Sequence, residues 1–178
     1  DRVLVVELVA GRPPGEEAVD DADRDGERDR TEQPADGGVA AIGLLRADRD
    51  LRVLRRAPIY ETPPAGGPPQ GDYLNTAALI VTALDAREIL DRALAVERAL
   101  GRERPDPVRW GPRTIDLDVL LWGARVIDDE GPPRLRVPHE RLAVRRFALL
   151  PLIDLVGDEV VLPGDGRVLR SLLEKTEE

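Results

Sequence analysis

The chain has 178 residues, of which 42% are hydrophobic, 34% charged and 3% aromatic, and its formal net charge is −9. That length suits a single domain with one buried core. The absence of cysteine excludes disulfides and cysteine-ligated metal centres, and a single histidine, His139, excludes a histidine-rich site. No apolar run approaches the ~20 residues of a membrane span, and the start lacks a secretory signal pattern, so a cytoplasmic protein is expected.

The acidity is concentrated in one segment. Residues 16–36 hold ten acidic side chains against three arginines, so this segment carries −7 of the −9. The rest of the chain is nearly neutral, and a neutral body does not repel phosphates. Lys175 is the only lysine among 26 basic side chains, so a bound polyphosphate would be held by guanidinium groups.

The first half of the chain contains one stretch with almost no large apolar residues. This stretch, 11–38, is rich in glycine, proline and acid, and we interpret it as a flexible acidic insertion in a single domain spanning 1–178. The regular elements predicted around it are strands at 3–9, 51–61 and 73–84 and a helix at 39–47.

A helix beginning after Asp85 is indicated by the capping-box pair Asp85 and Glu88, and Gly101 ends it. Beyond it the pattern predicts strands at 115–121, 125–128 and 135–137, a helix at 145–155 interrupted by Pro151, a hairpin at 160–168 and a helix at 168–176. Strands and helices interleave through short connections, which favours an α+β layer over a doubly wound parallel sheet.

The strand at 115–121 carries two carboxylates on one face. Because side chains alternate, Ile115, Leu117 and Val119 face a core while Asp116 and Asp118 share the opposite face. Oxygen ligands without nearby cysteine favour magnesium over zinc. An Asp-x-Asp pair on a solvent-facing strand is common, and a solvated charge cluster remains the alternative.

Arginines and one carboxylate strengthen this interpretation. Arg102, Arg104, Arg109 and Arg113 precede the pair, which suggests a site for a magnesium-bound polyphosphate. Glu97 falls in the apolar arc of its helix, so it needs either a salt bridge, to Arg104 or Arg113, or a ligand. His139 is a further polar candidate, although a lone histidine is more often structural.

The five aromatic side chains divide into two groups. Tyr73, Trp110 and Phe147 lie beside polar motif residues, and they would stack on a flat heteroaromatic substrate whose edge is recognised by an amide such as Asn75. Tyr60 and Trp122 are interpreted as core residues.

These motifs resemble 6-hydroxymethyl-7,8-dihydropterin pyrophosphokinases, over roughly residues 39–175. The most specific element is Arg109-Trp110-Gly111-Pro112-Arg113-Thr114-Ile115-Asp116-Leu117-Asp118. Supporting matches are Tyr60-Glu61-Thr62-Pro63-Pro64, Gln70-Gly71-Asp72-Tyr73-Leu74-Asn75, Glu97 with Gly101-Arg102-Glu103-Arg104, and Val137-Pro138-His139 followed by Arg145 and Phe147.

The resemblance implies a ferredoxin-like α+β fold, an antiparallel sheet with helices on both sides, and transfer of diphosphate from ATP to the pterin hydroxymethyl group. It makes Asp116 and Asp118 the ligands of two Mg²⁺ ions, and it gives catalytic roles to them and to Arg102, Arg109 and Arg113. The implied ATP-binding residues are Glu97, Arg104, Arg113, Arg134, His139 and Arg145. The implied pterin-binding residues are Thr62, Pro63, Pro64, Ala65, Tyr73, Asn75, Trp110 and Phe147.

One departure from the family pattern lies after the first strand, where Glu7-Leu8-Val9-Ala10-Gly11 and the acidic stretch replace a Gly-Ser-Asn turn. Two other functions stay open at this point: a nucleotide- or pterin-binding protein with weakened catalysis, and an RNA-binding ferredoxin-like domain. The expected partners are ATP and a hydroxymethyl dihydropterin, with neither nucleic acid nor membrane, and a monomer is expected with a dimer as the alternative.

Overall fold

The structure, a computed structural model, describes residues 2–11, 37–64, 68–102 and 114–176. Its centre is an antiparallel sheet of five strands in the order β2-β4-β1-β5, with β3 also paired to β4. The strands are β1 Arg2–Gly11, β2 Leu51–Arg56, β3 Tyr60–Thr62, β4 Tyr73–Thr82 and β5 Asp116–Trp122, and a separate hairpin is formed by β6 Ile127–Asp129 and β7 Leu135–Val137. The helices are α1 Gly37–Ala47, α2 Ala86–Ala99, α3 Arg146–Val156 and α4 Leu169–Leu173, with a 3-10 turn at Leu142–Val144.

Both faces of the sheet are covered. Leu4, Val6 and Leu8 of β1 pack into one core cluster with the apolar sides of α1 and α2. Val5 points to the opposite face and joins a second cluster formed mainly by α3 and α4. The alternation of β1 therefore divides the core into two layers, and the predicted α+β fold with helices on both sides of an antiparallel sheet is confirmed.

Helix α2 begins and ends where the sequence predicts. The Asp85 side chain accepts a hydrogen bond from the Glu88 amide at 2.9 Å, and the Glu88 side chain accepts one from the Asp85 amide at 2.7 Å. Gly101 has a φ of 84°, a conformation that suits glycine just beyond a helix end.

The strand predicted at 51–61 is divided into β2 and β3. Its register against β4 shifts between Val53 and Arg55, and Pro58 has no amide hydrogen for a ladder. The Ala57 amide still donates to the Ala77 carbonyl at 2.9 Å, so the interrupted segment remains beside β4.

Three predictions for the C-terminal part need correction. Helix α3 runs through Pro151, because the loss of one hydrogen bond is offset by the complete burial of neighbours such as Leu149 and Leu152. The predicted hairpin at 160–168 is present but short: Val161 and Val168 form an antiparallel bridge, and the Leu162 amide donates to the Arg167 carbonyl at 2.8 Å. The closing helix is shorter than the predicted 168–176 and covers only Leu169–Leu173.

The predicted acidic insertion lies mostly outside the described residues, at 12–36. Its proposed ends belong to regular structure, since Gly11 is the last residue of β1 and Gly37 and Gly38 begin α1. A Cβ on Gly37 would stand 3.1 Å from the Thr114 carbonyl oxygen, so the absence of a side chain allows α1 to approach the start of β5. In the described ranges, none of the helices combines the length and apolar character that a bilayer crossing requires.

Replacing Asp85 by alanine tests the N-cap of α2. We expect the free energy of unfolding to fall by about 1 kcal/mol, because the Glu88 amide loses its partner. Denaturant titration measures this loss, and Asp91→Ala, at an exposed position of the same helix, is the matched control. Equal stability of the two variants would contradict the assigned cap.

Candidate active site

Two carboxylates of β5 form the centre of the candidate site. Asp116 and Asp118 lie on the sheet face that α3 covers, and their side chains are 15% and 30% exposed. The alternate residues Leu117 and Val119 are buried in the opposite core layer. The predicted division of this strand into an apolar face and a carboxylate face is confirmed.

The beginning of β5 is held by two buried polar side chains. Glu97 of α2 accepts a hydrogen bond from the Leu117 amide through Oε1 at 2.9 Å, and Arg102 donates to the Ile115 carbonyl at 2.8 Å. An Arg102 nitrogen also lies 3.8 Å from an Asp116 oxygen. The carboxylate of Glu97, predicted to need an ion pair or a ligand, therefore has a backbone partner, and both residues position Asp116.

Basic groups approach the outer carboxylate. An Arg145 nitrogen lies 3.4 Å from Asp118 Oδ2, and His139 Nε2 lies 3.7 Å from the same oxygen. The Arg145 guanidinium also stands 5.6 Å from the centre of the Phe147 ring. Burial lowers the pKa of His139, although the Asp118 charge opposes this effect, so the imidazole favours its neutral form.

Sheet register brings one predicted pterin residue, Asn75, and one predicted metal ligand, Asp116, into the same row. Val9 of β1 is paired with Asn75 of β4 on one side and with Asp116 of β5 on the other. Residues paired across antiparallel strands point to the same face. Asn75 and Asp116 therefore share the α3 face, separated by two strand spacings of about 5 Å each.

The Asn75 amide is oriented by its hydrogen bonds. Its Nδ2 donates to Thr62 Oγ1 at 2.7 Å and to the Tyr73 carbonyl at 3.3 Å. Its Oδ1 is buried and has no hydrogen-bond partner among the described residues. The amide thus presents an acceptor oxygen, which suits a ligand with N–H groups.

Two tyrosines flank this amide. The Tyr73 hydroxyl donates to Gln70 Oε1 at 2.9 Å. Tyr60 is half-buried, and its hydroxyl donates to the Asp154 carboxylate at 2.6 Å, so its interpretation as a core residue was wrong, whereas Trp122 is buried as predicted. The hydrogen bond to Asp154 raises the pKa of Tyr60 to about 12.

Arg134 lies on the hairpin of β6 and β7 and is engaged with an acidic neighbour. It donates to both oxygens of Asp128 at 2.8 and 2.9 Å, and Arg136 contacts the same carboxylate at 3.2 Å. The hydrogen bond from Arg134 holds the pKa of Asp128 below its usual value. A phosphate binding to Arg134 would have to compete with Asp128.

Glu7 is the residue that sequence reasoning missed. It is completely buried on β1, paired in register with Asp118, and neither of its oxygens has a hydrogen-bond partner in the described part of the chain. Burial raises the pKa of Glu7 well above its usual range, and the Asp118 charge raises it further, while Arg145 opposes these effects. The signal in the sequence was a single carboxylate within an apolar strand rich in β-branched residues, which could have marked Glu7 as a buried polar group.

Of the remaining predicted site residues, some lie in the described segments and others lie outside them. Thr62 contacts Asn75, and Pro63 and Pro64 follow it directly in the chain. Arg104, Arg109, Trp110, Arg113 and Ala65 lie outside the described residues. Among those that are described, no three aspartate, glutamate or histidine side chains come close enough to hold a metal ion by themselves.

Replacing Glu97 by alanine tests its support of β5. We expect the free energy of unfolding to fall by about 1–3 kcal/mol, because the buried Leu117 amide loses its acceptor. Glu97→Gln keeps an acceptor oxygen at this position and should lose less. Denaturant titration compares the two, and equal losses would contradict the importance of this hydrogen bond.

Comparisons with known proteins show the family to which the chain belongs. Residues 31–157 match the family model described as 7,8-dihydro-6-hydroxymethylpterin-pyrophosphokinase. A 2-amino-4-hydroxy-6-hydroxymethyldihydropteridine pyrophosphokinase from Pseudomonas aeruginosa is 39% identical over 141 residues, which cover 79% of this chain and 83% of the relative. The protein of the same name from Methylorubrum extorquens is 39% identical over 137 residues, covering 77% of this chain and 82% of its own length.

A longer relative also matches this chain. The folate synthesis bifunctional protein of Arabidopsis thaliana is 40% identical over 120 residues, which are 67% of this chain but 24% of that protein. Both the family match and the bacterial relatives extend over most of the chain described above. The chain therefore belongs to the 7,8-dihydro-6-hydroxymethylpterin-pyrophosphokinase family.

Proposed function

We propose that this protein transfers diphosphate from ATP to the hydroxymethyl group of 6-hydroxymethyl-7,8-dihydropterin, giving AMP and the pterin diphosphate. Its family and the names of its relatives support pyrophosphokinase activity in folate biosynthesis. The observation that carries the residue-level proposal is the shared sheet face of Asp116, Asp118 and Asn75. That face provides for a metal-bound polyphosphate at one side and a flat N–H-bearing substrate at the other.

The acidic side of this face fits a magnesium site. Asp116 and Asp118 are partly exposed and offer only oxygen ligands. This pair of carboxylates suits a hard divalent cation, which water and phosphate oxygens would also coordinate. We assign Asp116 and Asp118 to two Mg²⁺ ions. When bound, the ions neutralise phosphate charge and polarise the phosphoryl group that is attacked.

The basic residues around Asp118 would hold the phosphates. Arg145 brings a guanidinium that reaches both Asp118 and the Phe147 ring, and His139 offers an N–H from a half-buried position. Arg134 would join them after release from Asp128. From the resemblance we add Arg104, Arg109 and Arg113 to the phosphate-binding residues. The resemblance also places Glu97 on the ATP side, where its buried carboxylate would act by holding the Leu117 amide of β5.

The pterin would lie across the sheet from the metal pair. The oriented Oδ1 of Asn75 would accept a hydrogen bond from an N–H of the pterin ring, and the ring would lie against Phe147. Tyr73 and Thr62 form the surroundings of that amide. The resemblance adds Pro63, Pro64, Ala65 and Trp110 to the pocket.

The reaction requires little covalent chemistry from the protein. The pterin hydroxymethyl oxygen forms a bond to the β-phosphorus while the bond from that phosphorus to the α,β-bridging oxygen breaks. AMP leaves with that oxygen, and the hydroxymethyl proton passes to solvent. Positioning of the two substrates and neutralisation of charge therefore supply most of the rate enhancement. Arg102 contributes by holding the Ile115 carbonyl beside Asp116.

The metal assignment is tested by Asp116→Asn and Asp118→Asn. We expect each substitution to lower the rate of AMP formation by at least about 100-fold, because a ligand charge is removed at nearly constant shape. Incubation with ATP, Mg²⁺ and 6-hydroxymethyl-7,8-dihydropterin, followed by chromatography of AMP, measures this rate.

The matched control is Asp158→Asn, which removes a carboxylate paired with Arg170 after α3. This variant should retain near-normal turnover. Near-normal turnover of the Asp116 or Asp118 variant would refute the assignment of that residue. Tight binding of ATP by the unsubstituted protein without AMP production, at saturating pterin, would refute the proposed reaction.

The pterin assignment is tested by Asn75→Ala. We expect the KM for the pterin to rise by at least about tenfold, equivalent to about 1.4 kcal/mol, because the ring N–H loses its acceptor. The affinity for Mg²⁺–ATP, measured by calorimetry, should stay within about twofold. A parallel loss of both affinities would indicate a general distortion and would contradict a specific role in pterin recognition.

A further inference from the structure

Glu7 is a buried carboxyl whose presence the fold does not explain. It lies on the central strand β1, has no exposed surface, and has no hydrogen-bond partner for either oxygen within the described ranges. Glu97 makes the contrast clear, because it is buried to 1% exposure but accepts the Leu117 amide. Buried polar groups normally have hydrogen-bond partners, so a group without one calls for a ligand or a bound water.

The position of Glu7 indicates which ligand. Its cross-strand partner on β5 is Asp118, and its partner on β4 is Ala77. Because paired residues point to the same face, the Glu7 side chain lies on the same face as the carboxylates of β5, one row from Asp116. The only residue of β1 in the second core cluster is Val5, two positions earlier, so Glu7 lies where that apolar layer meets the acidic site.

Charge also favours a cation at this point. Three carboxyl groups, Glu7, Asp116 and Asp118, lie on neighbouring rows of two strands. Arg102 approaches Asp116 and Arg145 approaches Asp118. A divalent cation at the Asp pair would offset the negative charge that these carboxylates place on one face of the sheet.

Direct coordination by all three carboxyl groups is not what the geometry favours. In the part of the chain that the structure describes, no three acidic or histidine side chains are grouped closely enough to hold an ion. Mg²⁺, however, keeps several water molecules when proteins bind it through one or two carboxylates. A buried acceptor beside such a pair is suited to the hydrogen atoms of those waters, and a carboxyl group has an acceptor oxygen in either protonation state.

We propose that Glu7 binds the water molecules of the divalent cation held by Asp116 and Asp118, and thereby strengthens cation binding from the neighbouring strand β1. This inference rests on the proposed metal site but not on turnover. Glu7 makes no bond to the cation or to the reacting atoms in this proposal. Its contribution is to fix the orientation of the waters that complete the coordination.

The test compares Glu7→Gln and Glu7→Val with the unsubstituted protein. Free Mn²⁺ is followed by electron paramagnetic resonance during titration of each protein, with a non-hydrolysable ATP analogue present. Glu7→Val removes every acceptor, and we expect the Kd for Mn²⁺ to rise at least about tenfold, as is typical when a partner of metal-bound groups is lost. Glu7→Gln retains one acceptor oxygen, so its Kd for Mn²⁺ should lie between those of Glu7→Val and the unsubstituted protein.

The thermal stability of Glu7→Val provides a second readout, which should change in the favourable direction while the affinity for Mn²⁺ falls. Valine is β-branched and close to glutamate in volume, and it removes a buried carboxyl that lacks a partner. We therefore expect Glu7→Val to raise the Tm of the cation-free protein by about 2–4 °C. A gain in stability together with a loss of cation affinity would distinguish a binding role from damage to the fold.

Thr76→Val is the matched control. Thr76 is also buried in the central part of the sheet, but its hydroxyl donates to the Ala57 carbonyl at 2.9 Å and it is paired with Leu8 of the other core layer. This variant should lower stability without changing the Kd for Mn²⁺. An equal Mn²⁺ affinity in Glu7→Val and the unsubstituted protein would overturn the proposal.

A role of Glu7 through Arg145 predicts a different result. In that case the affinity for the ATP analogue in the presence of a chelator would change while the Mn²⁺ affinity would not, and this outcome also overturns the proposal. The proposed function fails separately, if the unsubstituted protein forms no AMP. Turnover with unaltered Mn²⁺ binding in the variants refutes only the role of Glu7.

Discussion

The register of β5 against β1 is the constraint on which the candidate site depends. Successive side chains of a strand point to opposite faces, so a slip of one residue would bury Asp116 and Asp118 and expose Leu117 and Val119. Burial of the apolar residues Leu117 and Val119 already opposes that slip. The buried Glu97 and Arg102 add two hydrogen bonds to the backbone at residues 115 and 117, where the strand begins. The positions of Asp116 and Asp118 therefore depend on polar contacts to the backbone of β5 as well as on apolar packing.

This arrangement links the site to distant parts of the chain. Helix α2 provides Glu97, and its first turn depends on the capping box at Asp85. Asn75 lies on β4 and Asp116 on β5, and β1 lies between these two strands. The two halves of the site therefore come from segments about 40 residues apart, and β1 is the element that joins them. β1 therefore brings Asn75 and Asp116 into one row without itself contributing a loop.

Much of this could be predicted from local sequence patterns. The capping box, the glycine beyond α2 and the alternation of residues 115–119 have short-range physical causes, and each appears in the structure where the pattern predicts it. The continuity of α3 through Pro151 could not be predicted, because burial of its neighbours outweighs the local preference of proline. The backbone partner of Glu97 could not be predicted either, because it depends on tertiary packing between α2 and β5. Glu7 was visible only as an interruption of an apolar strand, since its pairing with Asp118 is a property of the sheet.

The irregularity between Val5 and Val6 has a consequence for how this part of the chain can vary. The register of β1 and β5 shifts there, and Leu120 and Leu121 both join the α3 core layer before Trp122 returns to the other one. The shift divides β5 into two segments. Each segment has its own alternation of side chains between the two faces of the sheet. In the first segment, Asp116 and Asp118 lie on one face, and Leu117 and Val119 are buried on the other. In the second segment, the order of inward and outward residues is fixed by packing alone. Changes in length on the hairpin side of the shift can be absorbed by the bulge, whereas a single insertion on the carboxylate side would reverse the faces of the site.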